Sequence, residues 1–379
     1  MMYLLSDDSK ELLADVKNFC KKEVMEQSKE YDISGEWPAE IYAKAFDMGL
    51  QSLEIPEELG GVGLDSVTLS ALYEEMAYAD AGFATTMACN NLCVKPIMRS
   101  GNAEQKKFVA DLVLAGKIGA FALTEPMCGS DVGSTKTTAV YDAATDEYVI
   151  NGRKCFITNA AVASIFYVTA STDKTKGAKG LSGFIVESGT KGLSIGEHEN
   201  KMGIRLSTTS DVLFEDVRVP AKNLVGKEGD GFKIAMQTLD GARPFVGSLA
   251  VGVAKRALDE SIAYAKERVT FGKPISKFQA LQFMMADMDI SIETARQMVV
   301  HSLTLLDAGM PFSREAAIAK CYAGDMSVQV ALDAIQIMGG FGYSREYPVE
   351  KLLRDAKIFQ LYEGTNQIQR IVIAGSILR

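Results

Sequence analysis

The spacing of the apolar residues changes character twice along this 379-residue chain, near residues 119 and 227, and this double switch constrains the fold more than any single motif. Before the first switch the spacing is helical. Leu12, Leu13, Val16, Phe19, Cys20 and Val24 recur every three or four residues, and Asp8 with Glu11 has the form of a capping box. Pro38 predicts a second helix that stops at Gly49, and Gly60-Gly61-Val62-Gly63 predicts a turn. Apolar helices over about 66–80 and 84–99 follow, with a last one from Asn102 to Gly116. Between the switches the runs are short and β-rich. Tyr148-Val149-Ile150 and Cys155-Phe156-Ile157-Thr158 flank Asn151-Gly152, a dipeptide that predicts a hairpin turn, and 165–170, 183–186 and 212–214 continue the pattern. After Gly226 and the Gly229-Asp230-Gly231 break come four or five long helical stretches, interrupted at Phe271-Gly272-Lys273-Pro274 and Gly339-Gly340-Phe341-Gly342. Sequential blocks of one type predict separate domains: all-α over 1–118, a β-barrel or sandwich over 119–227, and a four-helix-bundle-like domain over 228–379. The fold class is multidomain α+β.

Charge and cysteine usage narrow the function. A net charge of −9 argues against nucleic acid or an anionic membrane surface as a partner, and residues 228–379 carry equal numbers of basic and acidic side chains. No apolar run approaches the ~20 residues that span a bilayer, and Met1 to Leu5 is too short for the core of a secretory signal. A cytoplasmic location is expected. Cys20, Cys89, Cys93, Cys128, Cys155 and Cys321 show no paired framework and predict free thiols; His198 and His301 stand outside any ligand spacing, so no metal is expected.

Three kinds of stretch carry candidate chemistry. Leu361-Tyr362-Glu363-Gly364-Thr365-Asn366-Gln367 puts a carboxylate at a backbone break, with Gly364 permitting unusual dihedrals and Thr365 capping the apolar run at Ile368, Ile371 and Val372. Phe121-Ala122-Leu123-Thr124-Glu125-Pro126-Met127-Cys128-Gly129-Ser130-Asp131 ends a strand in a turn whose backbone donors can cradle an anion or a heteroatom-rich ring. Arg268, Phe271, Gln279, Gln336, Gly339 and Gly340 supply a cation, an aromatic face, amides and bare backbone. Two other matches lack context. Gly61-Val62-Gly63-Leu64-Asp65-Ser66 has no strand-turn-helix around it, and Gly192-Leu193-Ser194-Ile195-Gly196 has the pattern of a hydrolase nucleophile elbow without the helix such a serine needs after it.

In order and rough spacing, Thr-Glu-Pro-x-x-Gly-Ser-Asp (124–131), Phe-Ile-Thr-Asn (156–159), Glu-Arg-x-x-Phe-Gly (267–272), Gln-Ile-x-Gly-Gly-x-Gly-Tyr (336–343) and Tyr-Glu-Gly-Thr (362–365) resemble the signatures of the acyl-CoA dehydrogenases. The segments 201–205, 214–220 and 229–236 are also similar, so the resemblance covers essentially the whole chain. It implies FAD bound between the β domain and the C-terminal bundle. Phe121, Leu123, Thr124, Gly129, Ser130, Phe156, Ile157 and Thr158 would line the flavin, while Arg268, Phe271, Gln279, Gln336, Gly339 and Gly340 would hold the pyrophosphate and adenosine of a neighbouring subunit's cofactor. Thr365 and Gln367 would close the site. Ser130, Asp240, Arg243, Tyr362 and Gly364 would meet the acyl-CoA, and Glu363 would be the base that takes its α-proton, with its backbone N–H and a ribityl hydroxyl on the thioester oxygen.

The implied activity is dehydrogenation of an acyl-CoA to its 2,3-enoyl-CoA by a homo-oligomer, a dimer of dimers, with electrons passed to electron-transferring flavoprotein. The same scaffold working as an enoyl-CoA reductase in an anaerobe is the alternative, and a non-catalytic partner- or nucleic-acid-binding relative is a further one. Phe156 stands where many members carry Trp, and Met127-Cys128 replaces smaller residues. Ala88 aligns approximately with a Glu that floors the acyl pocket in medium-chain members, which predicts a deeper or more apolar floor, with Asn90 and Asn91 adding amides.

Overall fold

The computed structural model describes residues 5–378, so the outermost residues of the two terminal domains, and Met1 to Leu4 of the signal argument, lie outside it. The N-terminal part is a helical array: α1 (Asp7–Phe19) and α2 (Glu26–Ser34), joined by a π-helical stretch at Cys20–Met25, then α3 (Ala39–Asp47), α4 (Ser66–Ala79), α5 (Ala81–Ser100) and α6 (Ala103–Leu114). Ser6, not Asp8, caps α1, accepting from the Ser9 amide at 3.1 Å. α5 begins at residue 81, three residues before the sequence places it. Asp80 explains the early start, because its carboxylate accepts from the Gly82 and Phe83 amides at 2.7 and 3.0 Å. The same carboxylate takes Ser28 at 2.6 Å and Lys351 at 2.7 Å.

The middle part is one sheet of eight strands, β1 (Gly119–Ala122), β2 (Thr138–Asp142), β3 (Glu147–Thr158), β4 (Ile165–Ser171), β5 (Leu181–Glu187), β6 (Leu193–His198), β7 (Thr209–Pro220) and β8 (Leu224–Val225). They pair in the order β6-β7-β3-β2-β4-β5-β8, with β1 beside β4. The join between β2 and β4 is a single residue pair, Thr138 with Ser171, and side chains from either side of it share one core: Ile150, Phe214 and Val217 with Phe166, Val168 and Phe184. The sheet is therefore folded over on itself as two leaves, an open form of the expected sandwich.

Asn151-Gly152 does not turn the chain. It lies inside β3, and the hairpin reverses between Asp142 and Glu147. A Cβ at Gly152 would stand 2.4 Å from Thr137 Oγ1, so this glycine is needed for close approach between neighbouring segments. Asn151 is occupied across the sheet, donating to Asp216 at 3.0 Å and accepting its amide at 2.8 Å. Ser194 sits on edge strand β6, with no helix after it, which removes the hydrolase elbow.

The C-terminal part comprises α7 (Gly231–Glu267), α8 (Gln279–Asp307), α9 (Ser313–Met338), α10 (Val349–Ala356) and α11 (Asn366–Ile377). It shares one apolar core with α1, α3, α4 and α5. Buried ion pairs fix the mutual placement. Arg296 on α8 grips Glu74 on α4 with bonds of 2.9 and 2.8 Å, and Lys351 on α10 bridges Asp80 and Asp355. Breaking a buried pair by removing one partner typically costs ~3–5 kcal/mol, so these contacts hold the N-terminal and C-terminal helices firmly against one another.

Candidate active site

Glu363 lies in the bend between α10 and α11, with φ of 53°, and Gly364 continues the left-handed turn at 90°. A left-handed glutamate is held there by its surroundings. Lys320, reaching from α9, donates to the Gly364 carbonyl at 2.7 Å and to Asn366 at 3.0 Å; Gln369 donates to the Gly364 and Glu363 carbonyls at 2.9 and 3.3 Å. Thr365 caps α11 through the Ile368 amide at 3.2 Å. The loop is thus pinned on both sides of the carboxylate.

The carboxylate itself points into a cavity lined by Tyr73 on α4, Ala88, Asn91, Leu92 and Lys95 on α5, and Ala242, Phe245 and Val246 on α7. Glu363 Oε2 is closed to solvent and has no hydrogen-bond partner. Burial pushes its pKa from 4.5 up to about 7, against the opposing pull of Lys320, Lys95 and Arg243. Close to neutrality such a group exchanges protons readily, as a general base requires. Arg243 is also buried, with Nε unpartnered and its other end paired to Asp240. Burial likewise pushes up Tyr362, with the Glu363 charge adding to it.

The second group of candidate residues surrounds the end of β3. Phe156 sits at a register shift between β3 and β7, with φ of 57° and its ring exposed. Thr158 pairs with Thr209, and beside it the hydroxyls of Thr208, Thr209 and Ser210 are buried without partners. Ser130 and Gly129 are exposed on the turn after β1, and nothing lies within 4 Å of where a Gly129 Cβ would be. Packing takes up three other side chains of the predicted set. Phe121 stacks on Tyr167 at 5.5 Å, and Leu123 and Ile157 are buried, so the last two can offer a ligand only backbone.

Lys154, which no sequence motif singles out, underlies this turn. Fully buried, it donates to the Leu123 carbonyl and the Glu125 carboxylate at 2.9 Å each, while Glu125 accepts the Lys136 and Thr137 amides at 2.7 and 3.0 Å. Burial pushes Lys154 below its ordinary value and would raise Glu125, but Lys154 and these hydrogen bonds hold Glu125 low. An alternation of β-type residues gives no sign of such a pair.

The third group is elsewhere. Arg268, Phe271, Gln336, Gly339 and Gly340 line one cavity of about 800 Å³ with Phe278 and Phe341, and Gln279 adjoins it at the start of α8. Arg268 stands 5.6 Å from the Phe341 ring centre, and Phe271 is 90% exposed. No residue of the sheet contributes to this cavity. The candidate residues of this group therefore line a cavity of their own, which the residues at the β3 end do not share.

Asn90 and Asn91 have separate tasks. Asn90 donates to the Gln51 carbonyl at 2.8 Å and accepts the Gly119 amide at 2.9 Å, so it ties helices to sheet and leaves nothing for a ligand. Asn91 donates to the Tyr73 hydroxyl at the cavity wall. Gln367 is exposed on α11.

Models of the N-terminal, middle and C-terminal domains of acyl-CoA dehydrogenases match residues 6–117, 120–217 and 229–378. The chain belongs to the acyl-CoA dehydrogenase family. Members are FAD flavoproteins. Butyryl-CoA dehydrogenase from Megasphaera elsdenii superposes on it with a TM-score of 0.97 at 43% identity, covering 100% of both chains. A chain from the structural study of the electron transferring flavoprotein of Acidaminococcus fermentans superposes with a TM-score of 0.97 at 44% identity, again over 100% of both. The NADH-dependent acryloyl-CoA reductase of Anaerotignum propionicum is 42% identical over 100% of this chain and 96% of its own. Among the described residues no group of side chains could hold a metal ion, and no helix is long and apolar enough to cross a membrane.

The acyl-CoA dehydrogenase cofactor fits what is present. Unpartnered buried hydroxyls, an exposed aromatic ring and open glycine backbone surround the β3 end, and a cation with aromatic faces lines the 800 Å³ cavity.

Proposed function

We propose that this enzyme dehydrogenates acyl-CoA thioesters to 2,3-enoyl-CoA with Glu363 as the base that removes the α-proton. The observation that carries this is the unpartnered, dry Glu363 oxygen with a pKa near 7, on a loop anchored at both neighbouring carbonyls. A thioester α-proton is weakly acidic, so the base must be desolvated and poised within hydrogen-bond reach. The Glu363 backbone N–H is the donor for the thioester oxygen, where charge builds as the α-proton leaves. Lys320, Lys95 and Arg243 set the local field, and Tyr73 walls the cavity into which the carboxylate points. FAD, when bound, supplies the two-electron acceptor for the β-hydride. Phe156, Thr158 and the 124–130 turn would hold its ring, and Arg268, Phe271, Gln279, Gln336, Gly339 and Gly340 its pyrophosphate and adenosine.

That the two groups line different places in one chain supports a complete site shared between subunits of a homo-oligomer, a dimer of dimers. Electron-transferring flavoprotein is the proposed electron acceptor and the cytoplasm the proposed location. Likeness to the chain from the Acidaminococcus study supports the partner. The 42% identity to an acryloyl-CoA reductase favours one other reading, in which the same carboxyl returns a proton to the α-carbon of an enoyl-CoA. Anaerobic titration of the flavin with a panel of acyl-CoAs tests dehydrogenation: bleaching by at least one saturated acyl-CoA is expected, and an unbleached flavin across the panel would overturn the proposal.

A further inference from the structure

Helix α5 runs along the acyl cavity. Its first half meets the reacting end, where burial and the Glu363 charge together push the Cys89 thiol up. Lys95 lies six residues further on, about 9 Å along the axis, on the face shared by positions 88, 91, 92 and 95. Lys95 lines the same cavity as Glu363. Its Nζ is 2.8 Å from Glu54 Oε1 and 4.1 Å from the centre of the Phe245 ring, which itself packs edge-on against Tyr73. Glu54 comes from the loop after α3, and its Oε2 is buried without a partner. The space between these groups is small, with about 10 Å³ open to the centre of a water-sized sphere, the scale of one water molecule. A charged pair braced on an aromatic face thus stands where a longer acyl chain would have to continue.

We propose that Lys95, fixed by Glu54 and Phe245, is the specificity-determining floor of the acyl pocket and restricts this enzyme to short acyl groups. The inference rests on the acyl-CoA dehydrogenase reading above and names its substrate class. It also corrects the expectation at Ala88. Ala88 does line the cavity, but the space there is about 10 Å³ and is closed by the Lys95–Glu54 pair rather than deep and apolar. A growing alkyl chain gains up to about fourfold in binding per buried methylene, but only where apolar surface receives it. Against Lys95 that gain is lost. Continuing further would separate a mostly buried ion pair, a penalty on the order of tenfold or more.

The experiment uses the FAD-loaded enzyme and compares kcat/KM for butyryl-, hexanoyl- and octanoyl-CoA. The native enzyme is expected to favour butyryl- over octanoyl-CoA by more than about tenfold. Removing only Lys95 would strand the Glu54 carboxylate, so the informative variant is the double substitution Glu54→Gln with Lys95→Met. It is expected to raise the octanoyl-to-butyryl ratio by about tenfold or more. Lys95→Arg, which keeps the pair but enlarges the head group, is expected to lower the hexanoyl-to-butyryl ratio and remains informative if the double variant does not fold. Ratios unchanged in both variants, with butyryl-CoA still bleaching the flavin, would overturn the floor assignment and leave the dehydrogenase reading standing. A native flavin that no acyl-CoA bleaches would instead overturn that reading and this inference with it.

Discussion

Replacing Glu363 by Gln tests, without any turnover, whether the carboxylate is as dry as its surroundings imply. Burial raises the folded-state pKa from 4.5 to about 7. Between those values the folded protein holds a proton that the unfolded chain has released, so stability falls as pH rises through this window. Above about 7 the whole penalty is present; below 4.5 it is absent. At ~1.36 kcal/mol per pH unit the interval corresponds to about 3 kcal/mol, an upper figure because partial opening of the cavity screens the charge. The isosteric amide carries no such penalty. Glu363→Gln should therefore be more stable than the native protein by up to about 3 kcal/mol at pH 8, and equal to it near pH 4.5. Urea denaturation of both proteins at matched protein and FAD concentrations, over pH 5 to 8, measures the difference. A gain that does not grow with pH would refute the claim that Glu363 is held desolvated.

Two more outcomes follow from the geometry. Lys320→Met removes the foremost of the charges that lower the Glu363 pKa, leaving Lys95 and Arg243, so the acidic limb of the kcat/KM profile should move alkaline of pH 7; an unmoved limb would reduce Lys320 to a structural support. Arg268→Ala should weaken FAD retention after gel filtration, through loss of a charge-assisted contact worth ~1.5–3 kcal/mol, and full retention by a stable monomer would separate this cavity from the cofactor.

The order of α, β and α parts was legible because hydrophobic spacing is a local property, and the Glu363 loop because Gly364 and Thr365 are local signals too. Contacts distant in sequence were not. Asn151-Gly152 has the dihedral preference of a turn, yet strand pairing with β7 and close approach to Thr137 keep it extended in β3. Asn90 looked available to a ligand until the Gln51 carbonyl and Gly119 amide, brought to it by the fold, took both ends of its amide. The Lys154–Glu125 pair under the turn spans 29 residues. Lys95 was discoverable: its spacing from Ala88, Asn91 and Leu92 puts it on the pocket face of α5, and a charge on that face was the signal.

The central claim is that Glu363 takes the α-proton, and the most direct measurement is the rate at which butyryl-CoA bleaches the flavin on anaerobic rapid mixing, in the native enzyme and in Glu363→Gln. The amide keeps the shape but cannot accept the proton, so the rate should fall by on the order of 10²–10⁴ or more while FAD stays bound. A Glu363→Gln enzyme that bleaches within about tenfold of the native rate would contradict the assignment and move the base elsewhere.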